Sequence, residues 1–268
     1  MIARLGSVEL DVVADYLYVR DAAPRSKLHG LLCGRGWAGW DAQHARLLHN
    51  NAGFFPPTPP AMESFAQLML RSMEDVDLLG SWVPGENLLE PSLRNARICG
   101  LADLEPYYHA SPWSRALSHR RVLVVHPFAS SIQSQYRNNR NLLFANPDVL
   151  PEFDLLTFES VQSSAGNPTR FRTWFDALDW MTDRIARLEF DVALIGCGAY
   201  GFPLASRIRN MGRQAIHLGG AVQILFGIKG GRWDRHPAIS ALFNEHWIRP
   251  GAAERPINFM AVEDGCYW

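Results

Sequence analysis

Three glycines in the second half of the chain follow an apolar run at 191–195 and precede a segment with helical spacing. They are Gly196, Gly198 and Gly201. Glycine lets the backbone turn sharply and approach a ligand closely, and the N–H groups at the start of the following helix favour a phosphate. The next apolar run ends in His217, where a dinucleotide-binding unit carries an acidic residue for the adenosine ribose. This spacing predicts phosphate binding rather than NAD binding.

A second apolar run ends at His126 and is followed by Ser130 and Ser131. A histidine that titrates near neutrality could protonate a leaving group or contact a diphosphate; the alternative is a core histidine bonded to the backbone. The serines offer hydroxyls and helix N–H groups to a phosphate, although an N-cap role explains one of them without a ligand. This junction is therefore a secondary candidate for anion binding.

A third strand-to-helix junction contains His217, Gly219, Gly220 and Gln223. Because the carboxyl ends of parallel strands meet at one edge of a sheet, we expect the three junctions to converge on one cleft. Tyr200, inside the first glycine turn, either stacks on a base or covers the sheet.

A glycine-rich segment follows at 227–233 and contains Lys229, Arg232 and Trp233. Two cations could clamp a diphosphate while the indole stacks on a sugar or base, and the alternative is a solvated turn.

The N-terminal segment adds Arg4, Gly6, Ser7 and Glu9. Glu9 could act as the base on an acceptor hydroxyl or as a single metal ligand, and the alternative is a first-turn glutamate favoured by the helix dipole. Arg4 lies inside a predicted strand, so we expect it to pair with Glu9, another carboxylate or a ligand phosphate.

Composition excludes several classes of protein. The 268 residues are 47% hydrophobic with a net charge of −1, so no global field attracts nucleic acid or an anionic membrane. The four cysteines lack C-x-x-C spacing, which favours reduced thiols over a disulfide framework or zinc site. No apolar segment is long enough for a membrane span and no signal peptide is recognisable, so we expect a cytoplasmic protein.

Apolar runs that alternate with amphipathic segments predict an α/β protein with a Rossmann-like, mostly parallel sheet and helices on both faces. We expect strands at 1–5, 76–82, 97–100, 121–128, 153–158, 191–195 and 214–218, and a long helix at about 169–188. The chain is predicted to be a single domain, 1–268, with a loop-rich insertion at about 26–60 that could serve as a lid or acceptor loop. A strand at the first residue raises the expectation that the native chain begins upstream of Met1.

The segments Ala3-Arg-Leu-Gly-Ser-Val-Glu-Leu10 and Met211-Gly-Arg-Gln-Ala-Ile-His-Leu-Gly219 resemble the GT-D-fold glycosyltransferases. Those bacterial enzymes carry an Asp-x-Glu motif for a metal and a nucleotide sugar; here Ser7 replaces the Asp and Glu9 remains. Over nearly its whole length the chain also resembles proteins encoded among capsule and surface-polysaccharide genes. The segments that carry this second resemblance are Asn50-Asn-Ala-Gly-Phe-Phe55, His126-Pro-Phe, Gln133-Ser-Gln-Tyr136, Gly227-Ile-Lys-Gly-Gly-Arg-Trp233 and Asn244-Glu-His-Trp247.

The resemblance implies a glycosyltransferase that moves a sugar from a nucleotide-diphosphate donor to a glycan or lipid-linked glycan of the bacterial surface. It implies Mn²⁺ or Mg²⁺ as the candidate metal, Glu9 as its one protein ligand, no organic cofactor, and peripheral association with membrane-bound assembly enzymes. Two alternatives stay open: a nicotinamide-dependent oxidoreductase that uses the glycine turn, and a non-catalytic nucleotide-sugar-binding or scaffold protein of polysaccharide assembly.

Overall fold

The computed structural model describes residues 1–21 and 40–268, and within them the strands form one seven-stranded, all-parallel sheet. The order across the sheet is β3-β2-β1-β7-β6-β4-β5. The strands are β1 (Ile2–Ala3), β2 (Leu78–Ser81), β3 (Arg97–Gly100), β4 (Arg121–His126), β5 (Asp154–Glu159), β6 (Val192–Ile195) and β7 (Gln214–His217). The protein therefore has an α/β, Rossmann-like fold, as the alternation of apolar runs and amphipathic segments predicted.

Helices cover both faces of this sheet. They are α1 (Ser7–Asp21), α2 (Ala42–Asn50), α3 (Pro59–Met73), α4 (Ala129–Leu143), α5 (Trp174–Ile185), α6 (Gly201–Asn210), α7 (Ala221–Leu225), α8 (Gly231–Asp234) and α9 (Pro237–Ser240). Short 3₁₀ turns connect many of them. None of the helices in the described ranges is long and apolar enough to cross a membrane.

The two faces bury separate apolar layers. Helices α1, α2, α3, α5 and α6 pack on one side of the sheet, and α4 and α7 pack on the other. β4 and β6 are buried along almost their whole length, which is why they read in the sequence as continuous apolar runs.

The chain leaves neighbouring strands toward opposite faces. β1 pairs with β7 through Ala3 and His217, yet β1 continues into α1 on one face and β7 into α7 on the other. A crevice opens at the carboxyl edge wherever adjacent strands diverge in this way. The fold thus places a cleft beside the ends of β1, β7, β6 and β4.

Two predicted segments differ most clearly from the structure. The range 26–60 was expected to be loop-rich, but its described part contains α2, whose N-cap Asp41 accepts a hydrogen bond from the backbone N–H of Gln43 (2.7 Å). Residues 26–39 of that range lie outside the described part of the chain. The helix expected at 169–188 begins only at Trp174, because Thr173 and Asp176 form a reciprocal capping box.

Candidate functional site

A cavity of about 230 Å³ lies at the carboxyl edge of the sheet, where the turns after β1, β4, β6 and β7 meet. The chain segments just after β2 and β5 complete its wall. The predicted site residues that line it are Arg4, Gly6, Ser7, Glu9, His126, Gly196, Gly198, Tyr200, His217, Gly219, Gly220, Gln223, Arg232 and Trp233. The carboxyl ends of the parallel strands therefore bring together residues that are up to 229 positions apart in the chain.

Four predicted residues do not line the cavity: Ser130, Ser131, Gly201 and Lys229. The backbone N–H and hydroxyl of Ser131 both donate to the carboxylate of Glu254, so they hold the chain itself rather than a phosphate. The Lys229 ammonium lies 5.3 Å from the centre of the Phe243 ring. Of the two cations predicted to clamp a diphosphate, Lys229 and Arg232, only Arg232 lines the cavity.

The glycine turn after β6 packs against other parts of the chain. A Cβ at Gly196 would lie 2.5 Å from the carbonyl oxygen of Gly219, and a Cβ at Gly201 would lie 2.5 Å from the ring of His217. Gly198 has φ +57°, and a Cβ there would lie 2.8 Å from the carbonyl oxygen of Ala52. These glycines are needed for close packing and, at Gly198, for a left-handed turn. Gly196 and Gly198 also line the cavity, so phosphate binding by this turn stays a prediction.

Tyr200 is part of the core. Its ring stacks on Trp174 at a centroid distance of 4.9 Å and an interplanar angle of 9°, and its hydroxyl lies 3.0 Å from the Ser163 hydroxyl. The residue is almost fully buried, so of the two sequence-based interpretations, covering the sheet is the one observed.

The two buried histidines are neutral. The backbone N–H of Phe128 donates to Nδ1 of His126 (3.0 Å), so the neutral ring carries its hydrogen on Nε2. Burial lowers the pKa of His126 to about 3, and the same cause, with the charge of Arg4, lowers that of His217 to about 3. The backbone hydrogen bond and the lowered pKa favour the alternative of a core histidine bonded to the backbone.

His217 has a positional role. Its Nδ1 donates to the carbonyl oxygen of Arg4 (3.0 Å), which ties the end of β7 to the end of β1. Its other edge packs against Gly201 at the start of α6.

Arg4 is the cation at the centre of the site. Its Nε and Nη2 donate to the carbonyl oxygen of Leu5 (3.3 and 3.2 Å), and its guanidinium carbon lies 4.3 Å from the centre of the Trp82 ring. No carboxylate in the described ranges lies within 4.0 Å of it, so the expected ion pair with Glu9 is not formed. Burial lowers the pKa of Arg4 from its ordinary value, but a guanidinium stays charged in proteins.

Two carboxylates face the cavity near Arg4. Glu9 lies in the first turn of α1, with its carboxylate folded over Gly6 so closely that a Cβ there would collide with it. Burial raises the pKa of Glu9, and burial likewise raises that of Glu105 on the connector after β3. A carboxylate with a raised pKa is a better proton acceptor when ionised, so both residues can exchange protons closer to neutrality.

The first turn of α1 also presents free donors. The first backbone hydrogen bond of this helix runs from Leu10 to Gly6, which leaves the N–H groups of Ser7 and Val8 without an intrahelical acceptor. Together with Arg4 they can hold an anionic group at this end of the cavity.

The opposite wall is closed by the C-terminal segment. Arg232 pairs with Glu263, which also accepts from the side-chain amide of Asn51 (3.3 Å), and the Arg232 guanidinium carbon lies 4.8 Å from the centre of the Tyr267 ring. The cavity is lined by two arginines and three carboxylates. Because Arg232 is paired with Glu263, the end of the cavity near Arg4 is the part best suited to bind an anion.

The side chains of residues 1–21 and 40–268 do not form a metal site. No group of three or more His, Cys, Asp or Glu residues in the described ranges could hold an ion. Glu9 alone would have to bind it with help from a ligand's phosphates, since Ser7 replaces the expected second carboxylate. This donor set, taken from the described residues, does not fit a metal held by the protein alone.

Sequence reasoning missed several residues that line the cavity: Trp82, Glu105, Ser160, Glu263, Tyr267 and Trp268. Trp82 and Ser160 directly follow β2 and β5. They would have been predicted if the residues at the carboxyl end of every expected strand had been taken as candidates. The others come from irregular segments that carry no periodic signal.

Comparison of the chain with protein-family models, curated proteins and solved structures gave no match.

Proposed function

We propose that this chain is a cytoplasmic glycosyltransferase that takes a sugar from a nucleotide-diphosphate donor and passes it to a surface glycan or a lipid-linked glycan. The observation that carries the proposal is the position of Arg4 and Glu9 in the same cavity. Both come from the β1–α1 turn and line one cavity, where the arginine has no carboxylate partner among the described residues and burial raises the pKa of the glutamate.

The reaction requires that the negative charge on the leaving group be stabilised and that a proton be removed from the acceptor hydroxyl. When the bond between sugar and diphosphate breaks, negative charge grows on the leaving nucleoside diphosphate. Arg4 and the N–H groups of Ser7 and Val8 can stabilise that charge from one side of the cavity. Glu9 accepts the proton of the attacking acceptor hydroxyl, which strengthens the oxygen as a nucleophile.

The arrangement does not favour the nicotinamide-dependent alternative. A dinucleotide needs the glycine turn after β6 to approach its pyrophosphate, but that turn packs against Ala52, whose carbonyl oxygen accepts a hydrogen bond from Ala199 (3.0 Å).

Calorimetric titration with UDP, GDP, dTDP and CDP, each with and without Mn²⁺, tests the proposal. We expect one of them to bind, and the corresponding nucleotide sugars to be hydrolysed or transferred by the wild type but not by Glu9→Gln. Absence of binding by every diphosphate up to about 1 mM, near −4 kcal/mol, would contradict the proposal. Tight binding without any turnover would instead favour the scaffold alternative.

A further inference from the structure

One wall of the cavity carries polar groups that the protein leaves without partners. Ser160 and Gln223 line the cavity and are 4% and 0% exposed, yet the Ser160 hydroxyl and the Gln223 Oε1 have no hydrogen-bond partner. Buried polar atoms are almost always satisfied, so an unpaired one needs an explanation. Two on the wall of one cavity point to a ligand.

The free atom of Gln223 is fixed as an acceptor. Its Nε2 donates to the carbonyl oxygens of Lys229 (3.0 Å) and Tyr267 (2.8 Å), which can only accept. Both amide hydrogens are used, so the remaining Oε1 must receive a hydrogen from elsewhere. A phosphate or a carboxylate, which only accepts, cannot supply it.

His126 adds the complementary donor. Because its Nδ1 accepts from Phe128, its Nε2 carries the hydrogen, and no described residue accepts it. The backbone N–H of Ser160 donates to the carbonyl oxygen of His126 (3.3 Å), so these two residues are adjacent. A Cβ at Gly196 would lie 3.0 Å from the His126 ring and 3.1 Å from Val222, which brings the histidine close to α7, the helix that carries Gln223.

This wall is partly aromatic, and its two polar atoms without partners are uncharged. The Phe128 ring lies 4.8 Å from the His126 ring, and Trp268 lies 6.0 Å from Phe128, and both aromatic residues line the cavity. Arg4 reaches the lining from the β1–α1 turn, and its guanidinium would lie 3.7 Å from a Cβ at Gly219.

We infer that His126, Ser160 and Gln223 form a subsite for an uncharged, hydroxyl-rich group, and that a pyranose sugar is the ligand class that fits it. Each sugar hydroxyl both donates and accepts, so it can satisfy a fixed donor, a fixed acceptor and a serine hydroxyl together, while apolar C–H groups of the ring contact the aromatic residues. The inference names the sugar-binding part of the proposed donor site and rests on the proposed function for the nucleotide part.

Ser160→Ala tests the subsite with little risk to the fold. The Ser160 hydroxyl makes no bond within the protein, so its removal should leave the melting temperature unchanged or slightly higher. Ser114→Ala is the matched control, because that serine is equally buried, lies outside the cavity lining and donates to the carbonyl oxygens of Asp148 (3.1 Å) and Val149 (2.8 Å). It should lower the melting temperature and leave ligand binding unchanged.

The probes are methyl glycosides of common hexoses and N-acetylhexosamines, observed by saturation-transfer NMR with the full-length chain. We expect at least one glycoside to bind the wild type, Ser160→Ala to weaken that binding about two- to tenfold, and Ser114→Ala to preserve it. No binding of any glycoside at about 50 mM, or equal binding by wild type and Ser160→Ala, would overturn the inference.

Titration with a nucleoside diphosphate separates this inference from the proposed function. Diphosphate binding without glycoside binding overturns the sugar subsite and leaves the proposed function standing. Glycoside binding that depends on Ser160, with no diphosphate binding, supports the subsite and contradicts the nucleotide-sugar proposal.

Discussion

The Arg4 guanidinium carbon lies 4.3 Å from the centre of the Trp82 ring, and the side chains of both residues donate hydrogen bonds to the carbonyl oxygen of Leu5. This shared acceptor fixes the plane of the guanidinium at the end of β1. Stacking on the indole stabilises the cation without neutralising it, as an ion pair with a carboxylate would. The arrangement therefore preserves a positive charge in a cavity that also contains three carboxylates.

Replacing Arg4 should remove the anion subsite. We expect Arg4→Met to weaken the binding of a nucleoside diphosphate about 10- to 100-fold, because hydrogen bonds to a charged group contribute about 1.5–3 kcal/mol. Arg94→Met, at an exposed position that does not line the cavity, is the control and should bind as the wild type does. Isothermal titration calorimetry measures both, and an equal affinity of the two variants would contradict the assignment of Arg4.

Glu9 gives a pH-dependent prediction. Partial burial raises its folded pKa above the ordinary value of 4.5, so the carboxylate loses its proton less readily in the folded protein than in the unfolded chain. Its contribution to stability is present below pH 4.5 and is lost as the pH rises through the folded pKa. Glu9→Gln, which cannot ionise, should therefore have a higher free energy of unfolding than the wild type at about pH 7 and no advantage at about pH 4.

The same variant should lose transfer activity, and the wild-type rate should rise with pH as Glu9 ionises. Urea unfolding at both pH values and a transfer assay provide the measurements, with exposed Glu90→Gln as the control that changes neither. A Glu9→Gln variant that is less stable at neutral pH would mean that the ionised carboxylate has a favourable partner, which is the opposite of a poised base.

The sheet could be predicted because its central strands are apolar on both faces. β4 and β6 each read as a continuous apolar run, and the polar residues directly after them fall at the edge where the cavity lies. The sequence alone also shows that position 7 is a serine and that Glu9 is the one carboxylate in this turn. The local sequence therefore predicted at which edge of the sheet these polar residues would lie.

The roles of individual residues could not be predicted, because distant contacts decide them. Nothing near Gly198 in the sequence indicates that Ala52 will lie against it, and nothing near Tyr200 indicates that Trp174 will stack on it. Glu105 enters the cavity from an irregular connector. A glycine turn that binds phosphate and one that packs against its own chain have the same local signature.

Gly198→Ala distinguishes these two interpretations of the glycine turn. Gly212 is a matched control, since it also has positive φ (+80°), but a Cβ there would meet nothing within 4 Å. Gly212→Ala should cost only the left-handed strain of about 1–2 kcal/mol, whereas Gly198→Ala adds a clash with the Ala52 carbonyl and should cost about 3–4 kcal/mol. Chemical unfolding gives both values, and an unchanged stability of Gly198→Ala with lost diphosphate binding would restore the phosphate interpretation.

Glu263 restrains the second arginine of the cavity. Its carboxylate pairs with Arg232 and accepts a hydrogen bond from Asn51, so the charge of Arg232 is largely neutralised. Glu263→Gln leaves an amide of the same shape and frees that charge, and we expect it to strengthen diphosphate binding about two- to tenfold at low ionic strength. Glu245→Gln, at an exposed position that does not line the cavity, should have no effect. Calorimetry at low and high salt measures the difference, which should shrink as salt screens the freed charge. Weaker binding by Glu263→Gln would show instead that the pair with Arg232 holds the wall of the cavity in its binding shape.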